Sequence, residues 1–194
     1  MAKSERPSKE SVAWTHADSL LASAVLRGDG DAFARIINRH QAKIADQMRR
    51  FSRDPLVIEE LVHEVFVEAY TSLKSFRSDA PLVHWLRKIA VRVGYRYWKH
   101  QSRHAGQSVS LSSIEERLSQ FSIGEQASME ASETLGGLLE LLSPSDRLVL
   151  TLIYWDGCSV AEAAELSGWT KANVKIRAHR ARKRLGKLIE ESLR

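Results

Sequence analysis

The chain has 194 residues, a net charge of +5 and a single cysteine, Cys158, which excludes an internal disulfide and a thiolate metal cage built from this chain alone. Its apolar content is that of a globular protein, and the excess of cations suits an anionic partner. No apolar run approaches the roughly 18–20 residues of a membrane span, and residues 1–11 lack the apolar segment that directs export. A soluble, cytoplasmic protein without membrane insertion is expected.

In chain order, β-branched alternation is nearly absent and glycines gather at joints, so an all-α fold is expected. Residues 1–17 read as a flexible N-terminal tail. A short helix near 18–27 precedes a longer one over 31–51. Asp54 and Pro55 form an N-cap and first-turn pair that starts a third helix, running to about residue 73. Ala80 and Pro81 restart the chain for a fourth helix that ends near 103. Residues 105–134 are rich in Ser and carry five Glu, one Arg and no Lys, the composition of an acidic, flexible linker. Beyond it, Ser143 and Pro144 repeat the cap pair, Ser159 to Glu162 reads as a capping box, and Thr170 caps a last helix. Two small helical domains, over 18–104 and 135–194, follow from this order.

Two stretches, 82–103 and 171–187, contain Lys and Arg but no Asp or Glu. In the first, helical spacing puts Leu82, Leu86, Ile89, Val93 and Tyr97 on the core side. Lys88, Arg92, Arg96, Lys99 and Arg103 form a neighbouring stripe bordered by Trp85 and Tyr95. Cations neutralise phosphates and release counterions, whereas aromatic rings stack on unpaired bases, so this helix suits DNA being opened. Trp85 as a plain core residue is the competing reading. Gly94 lies mid-helix, where an interruption is expected. The loop at 74–81 offers Phe76, Arg77 and Asp79 at the helix entrance, where a flipped base could be held; an ordinary helix connection uses the same residue types.

The segment 159–180, SVAEAAELSGWTKANVKIRAHR, has the lengths of a helix-turn-helix. Val174, Ala178, Ala181, Leu185 and Leu188 define its buried side. Lys175, His179, Arg180 and Lys183 point away, as does Ile176, which is expected to meet a thymine methyl or a protein partner. Lys171 and Asn173 open this helix, and Arg177 and Arg184 flank its apolar stripe as phosphate candidates. The third helix carries the opposite charge: Glu60, Glu64 and Glu68 repeat every four residues, with His63 and Val67 on the same side. Like charges at that spacing cost a few tenths of a kcal/mol per pair, so helix stability does not explain the stripe. A basic protein partner does, with a solvated face as the alternative. His63-Glu64 begins a zinc-protease string, but Val67 stands where the second His must be, so no metal site is expected. No nucleophile triad or phosphate loop is readable, and neither a cofactor nor enzymatic activity is expected.

These residues resemble the extracytoplasmic-function (ECF) sigma factors, a group within the sigma-70 family of bacterial transcription initiation factors. EELVHEVFVEAY at 59–70 is similar to region 2.2, which implies docking on the β′ clamp helices of core RNA polymerase through Glu60, His63, Glu64, Val67 and Glu68. SFRSDAPLVHWLRKIA at 75–90 is similar to regions 2.3 and 2.4, which melt and read the minus 10 element. The resemblance assigns that contact to Phe76, Arg77, Asp79, Trp85, Lys88, Arg92, Tyr95, Arg96 and Lys99. LLSPSDRLVLTLIYWDG at 141–157, with the helix-turn-helix after it, resembles region 4. This implies minus 35 recognition by Lys171, Asn173, Lys175, Ile176, Arg177, His179 and Arg180, and a contact with the polymerase β flap. The resemblance also implies an anti-sigma factor, and a linker that follows the RNA path of polymerase by mimicking its charge. Four places depart from the pattern: His63 where the family often has Gln, Arg92 where many members carry Asn, Gly94 within the base-reading helix, and Lys171-Ala-Asn173 at the start of the recognition helix. A helix-turn-helix regulator and a sigma-like decoy for an anti-sigma factor are the alternatives.

Overall fold

The computed structural model describes residues 9–106 and 136–192, and among them every regular element is helical and no strand occurs. Packing divides the chain into two compact units, Met1–Gly94 and Tyr95–Arg194. The first holds α1 (Lys9–Leu26), α2 (Gly30–Met48), α3 (Pro55–Ser72), a 3-10 turn (Leu73–Ser75) and α4 (Leu82–Gly106) as far as Gly94. α1 begins inside the stretch expected to be tail, because its Ala and Leu content favours helix despite the polar start. Past Gly106, the expected acidic linker lies outside the described residues. Among the described residues, no helix is long and apolar enough to cross a membrane.

Local chemistry sets the helix starts in this unit. The Asp29 carboxylate accepts the Ala32 amide at 3.1 Å to cap α2, and Asp54 accepts the Leu56 amide at 2.9 Å to cap α3, with Pro55 in the first turn. Each cap satisfies a backbone donor that the helix itself leaves without a partner. The core is drawn from one face of each helix: Ile36, Ile44 and Met48 from α2, Leu61, Val65 and Phe66 from α3, and Leu82, Leu86, Ile89 and Val93 from α4.

Gly94 corrects an expectation. It does not interrupt α4, which runs unbroken through it. Instead the ring of Phe51 lies flat against the glycine, and a Cβ added there would stand 2.4 Å from the ring carbons. A mid-helix glycine costs about 1 kcal/mol relative to alanine. Burying a phenylalanine contributes roughly 1.5–3 kcal/mol, and Phe51 is only 4% exposed, so the packing term exceeds the helix penalty.

A polar clasp between α1 and α2 has no counterpart in the sequence reading. Asp18 and His40 are both buried. The Asp18 carboxylate accepts from Arg39 Nη1 at 2.7 Å, and its other oxygen lies 3.0 Å from His40 Nε2. Burial pushes the Asp18 carboxyl up, but hydrogen bonds from His40 and Arg39, with their charge, outweigh that and hold it below the ordinary carboxylate value. A lowered pKa of this kind adds stability above the unfolded carboxyl's pKa, and that stability is lost as the pH falls through the folded value.

The second unit contains the last turns of α4, then α5 (Pro144–Leu150), a π-helical turn (Thr151–Trp155), α6 (Val160–Ser167) and α7 (Lys171–Ser192). Its caps fall where the sequence places them. Ser143 accepts the Asp146 amide at 3.2 Å. Ser159 and Glu162 bond each other's backbone at 3.2 and 2.8 Å, and Thr170 accepts the Asn173 amide at 3.1 Å. Gly168 ends α6 with φ of 73°, a conformation that side-chain-bearing residues rarely adopt. In the π-helical turn the Asp156 amide reaches back five residues to the Thr151 carbonyl, at 2.9 Å. The apolar run at 148–155 is therefore split: Leu148, Val149, Leu150 and Leu152 are buried, while Tyr154 and Trp155 are exposed.

The end of α4 also departs from expectation. Tyr97 is half-buried, and Trp98 takes the core position, 4% exposed. The Arg147 guanidinium sits 4.1 Å above its ring, a cation-π contact within the second unit. The last turns of α4 face different neighbours from the first, so a single helical stripe does not describe both.

Candidate nucleic-acid interface

The loop before α4 is open. Arg77, Ser78, Asp79 and Ala80 are exposed, and Ser78 adopts φ of 58°, a left-handed turn that costs an L-residue roughly 1–2 kcal/mol. Phe76 is half-buried, and its ring centroid lies 5.6 Å from that of Trp85, tilted by 51°. Trp85 is therefore neither a closed core residue nor a bare platform: it is half-buried, with an aromatic partner at the mouth of the loop. Phe76, Arg77 and Asp79 share this loop, with Phe76 brought onto Trp85.

Along α4, Arg92, Arg96, Lys99 and Arg103 are exposed and Lys88 is half-buried. Arg92 Nη2 donates to Glu68 Oε1 at 2.8 Å, joining α4 to α3. Tyr95 and Lys99 belong to the second unit. There the Tyr95 ring meets Trp169 edge-on at 5.8 Å, with Lys99 Nζ 5.7 Å from the tyrosine centroid.

On α7, Val174, Ala178 and Ala181 are buried, while Leu185 and Leu188 are half-buried. Lys171, Asn173, Lys175, His179, Arg180 and Lys183 are exposed, as is Ile176, at 53%. Arg177 is held differently from the rest. Its Nε donates to Asn173 Oδ1 at 2.6 Å, and its guanidinium lies 4.8 Å from the Trp169 ring centroid. Trp169 thus organises this side of the helix-turn-helix, a role the sequence reading missed. The available signal was an aromatic residue immediately after the left-handed Gly168.

The outward face of α3 carries Glu60, His63, Glu64 and Val67, all exposed, with Val67 at 48%. Glu68 is half-buried beside Arg92. Tyr70, which the sequence reading left out, extends the face: it is 56% exposed, and its ring packs edge-on against Phe33 at 4.9 Å. The acidic stripe therefore has an apolar edge.

An acidic helix with an apolar edge, a cationic helix entered through an aromatic loop, and a capped helix-turn-helix follow one another along the chain. Residues 36–104 match the family model Sigma-70 region 2, and residues 132–185 match Sigma-70, region 4. The ECF RNA polymerase sigma-E factor of Escherichia coli K12 is 29% identical over 187 residues, covering 91% of this chain and 96% of the relative. The RNA polymerase sigma-H factor of Pseudomonas aeruginosa PAO1 is 28% identical over 185 residues, with the same two shares. Among solved structures, CnrH in complex with the cytosolic domain of CnrY aligns with a TM-score of 0.56 and 25% identity, over 90% of this chain and 98% of that one. The sigma factor RpoE of Bartonella quintana, in complex with the anti-sigma factor NepR, shares the fold, with a TM-score of 0.54 and 22% identity over 81% and 96%. Fold and matches together define a sigma factor with two helical regions. The chain belongs to the sigma-70 family, within its extracytoplasmic-function group.

Proposed function

We propose that this sigma factor docks on core RNA polymerase through α3 and directs it to promoters by a minus 10 contact from α4 and a minus 35 contact from α7. The observation that carries this reading is the segregation of charge. Carboxylates and Val67 occupy the outer face of α3, while cations occupy α4 and α7. A carboxylate face repels DNA and attracts a basic protein surface, such as the β′ clamp helices; cationic helices do the opposite.

Roles within the two DNA contacts follow from surroundings. Phe76 and Trp85, already paired, offer a stacking site for bases of an opened strand, with Arg77 and Asp79 beside it. Lys88, Arg92, Arg96 and Lys99 fix the backbone of that strand, and Tyr95 borders it. On α7, Lys171, Asn173, Lys175, Ile176, His179 and Arg180 approach the major groove. Arg177, steered sideways by Asn173 and Trp169, suits a phosphate on the groove wall.

In this reading residues 18–104 form region 2 and residues 135–194 form region 4, which also meets the β flap; the acidic residues between them track the RNA path. The chain works in the cytoplasm, where core polymerase is, and performs no catalysis itself. An anti-sigma factor covers its polymerase-binding surfaces until a signal arrives. The complexes of CnrH with CnrY and of RpoE with NepR support that partner class.

The test is transcription from genomic DNA fragments by purified core polymerase, with and without the chain. New start sites and co-elution with core are expected. Absence of both overturns the reading.

A further inference from the structure

Glu68 and Arg92 join two surfaces that the proposed function keeps apart. Glu68 is the last carboxylate of the α3 stripe, and Arg92 lies within the cationic stripe of α4. Arg92 Nη2 donates to Glu68 Oε1 at 2.8 Å. The pair is asymmetric, with the glutamate side chain 24% exposed and the arginine side chain 53%. The carboxylate is seated against the protein, while the guanidinium reaches across from α4 and remains open to solvent. Carboxylate and phosphate compete for the same planar fork of donors. While Glu68 holds one donor of that fork, the pair presents no net charge at a point where α4 would otherwise offer DNA a cation.

We propose that Glu68 is a positioning residue that withholds Arg92 from DNA in the free chain, and that a cationic group of polymerase releases Arg92 by taking the Glu68 carboxylate. The inference rests on the reading that α3 docks on polymerase and α4 on DNA. Docking and phosphate contact then become linked equilibria, each strengthening the other by the same factor. An ion pair this exposed is readily exchanged, so the gate is worth about two- to fivefold in affinity.

The probe is a labelled, mixed-sequence DNA single strand of about 20 nucleotides, longer than a typical single-strand site, titrated with the full chain by anisotropy over a range of salt. Glu68→Gln is expected to tighten binding about two- to fivefold and to steepen the slope of log affinity against log salt by about 0.7, the increment for one more phosphate contact on a single strand. Glu68→Gln/Arg92→Ala must lack both gains. Asp31→Asn makes the same change in net charge from an exposed site on α2, and its effect must not depend on Arg92. At saturating core polymerase, the difference in slope between Glu68→Gln and the parent chain must disappear.

An unchanged slope in Glu68→Gln, or a gain that survives removal of Arg92, overturns the gate. A difference that persists in the core complex, or a parent chain that does not bind core, overturns release by docking. Arg96→Ala and Lys99→Ala test the DNA reading separately. If they weaken single-strand binding while Glu68→Gln is silent, only the gate falls; if they too are silent, α4 is not the DNA face and both fall.

Discussion

The two cationic helices differ most in what stands behind them. α4 is a wall of the core: Leu82, Leu86, Ile89, Ala90, Val91 and Val93 are buried along it, and Gly94 admits the Phe51 ring against its backbone. α7 fully buries only Val174, Ala178 and Ala181, and its Gly186 faces open space. Aromatic residues follow the same division. Trp85, Tyr95, Tyr97 and Trp98 lie on α4 itself, whereas α7 has none and borrows Trp169 from the turn before it. Similar charge patterns thus sit on helices with different mechanical constraints. The cations speak to the ligand; the buried side decides how far the helix can be altered.

The sharpest test of that contrast is Gly94→Ala. Overpacking against Phe51 should cost about 1–3 kcal/mol net of any gain in helix propensity, seen as a lower urea midpoint, with partial recovery in Gly94→Ala/Phe51→Leu. An unchanged midpoint would remove the close-packing account. Next, Trp85→Ala should weaken binding to a single strand or fork by about 1–3 kcal/mol in anisotropy titrations, while binding of plain duplex is nearly unaffected. Equal losses on both probes would dissolve the distinction between an opened-strand helix and a duplex helix.

A smaller effect is expected of Lys175→Ala, which should flatten the salt dependence of duplex binding by about 0.9, one phosphate contact, and leave co-elution with core polymerase intact. Glu64→Lys should do the reverse. If either variant impairs both activities alike, docking and DNA contact are not divided between α3 and α7. The smallest effect should come from Gly186→Ala. With nothing near the added methyl, it should stabilise the chain by up to about 1 kcal/mol, and a loss of stability in thermal unfolding would show that Gly186, like Gly94, is closely packed.

Much of this molecule was legible before its structure. Asp54 with Pro55, Ser143 with Pro144, Ser159 with Glu162, and Thr170 all stand at the helix starts their chemistry demands, because a cap is a bond between residues two or three apart. The outward positions of Val67 and Ile176 followed from helical phase alone. The errors share a different cause. Helical spacing points to Tyr97 for the core place that Trp98 fills, and to a break at Gly94 that the helix does not show, because both expectations take one set of neighbours to line the whole of α4. The Asp18–Arg39–His40 clasp and the Glu68–Arg92 pair join residues 21, 22 and 24 positions apart, a separation at which spacing carries no signal.

The sequence by itself determined the helical content, the caps, the cationic and acidic faces and the order of regions that places the chain among sigma factors. These rest on chemistry within a few residues or on the period of one helix. Only the tertiary structure decided which cations are held and which are offered: Arg92 by Glu68, Arg177 by Asn173 and Trp169, and Arg147 over Trp98. A side chain's partner on another helix depends on how the two helices pack, and no pattern within either helix encodes that.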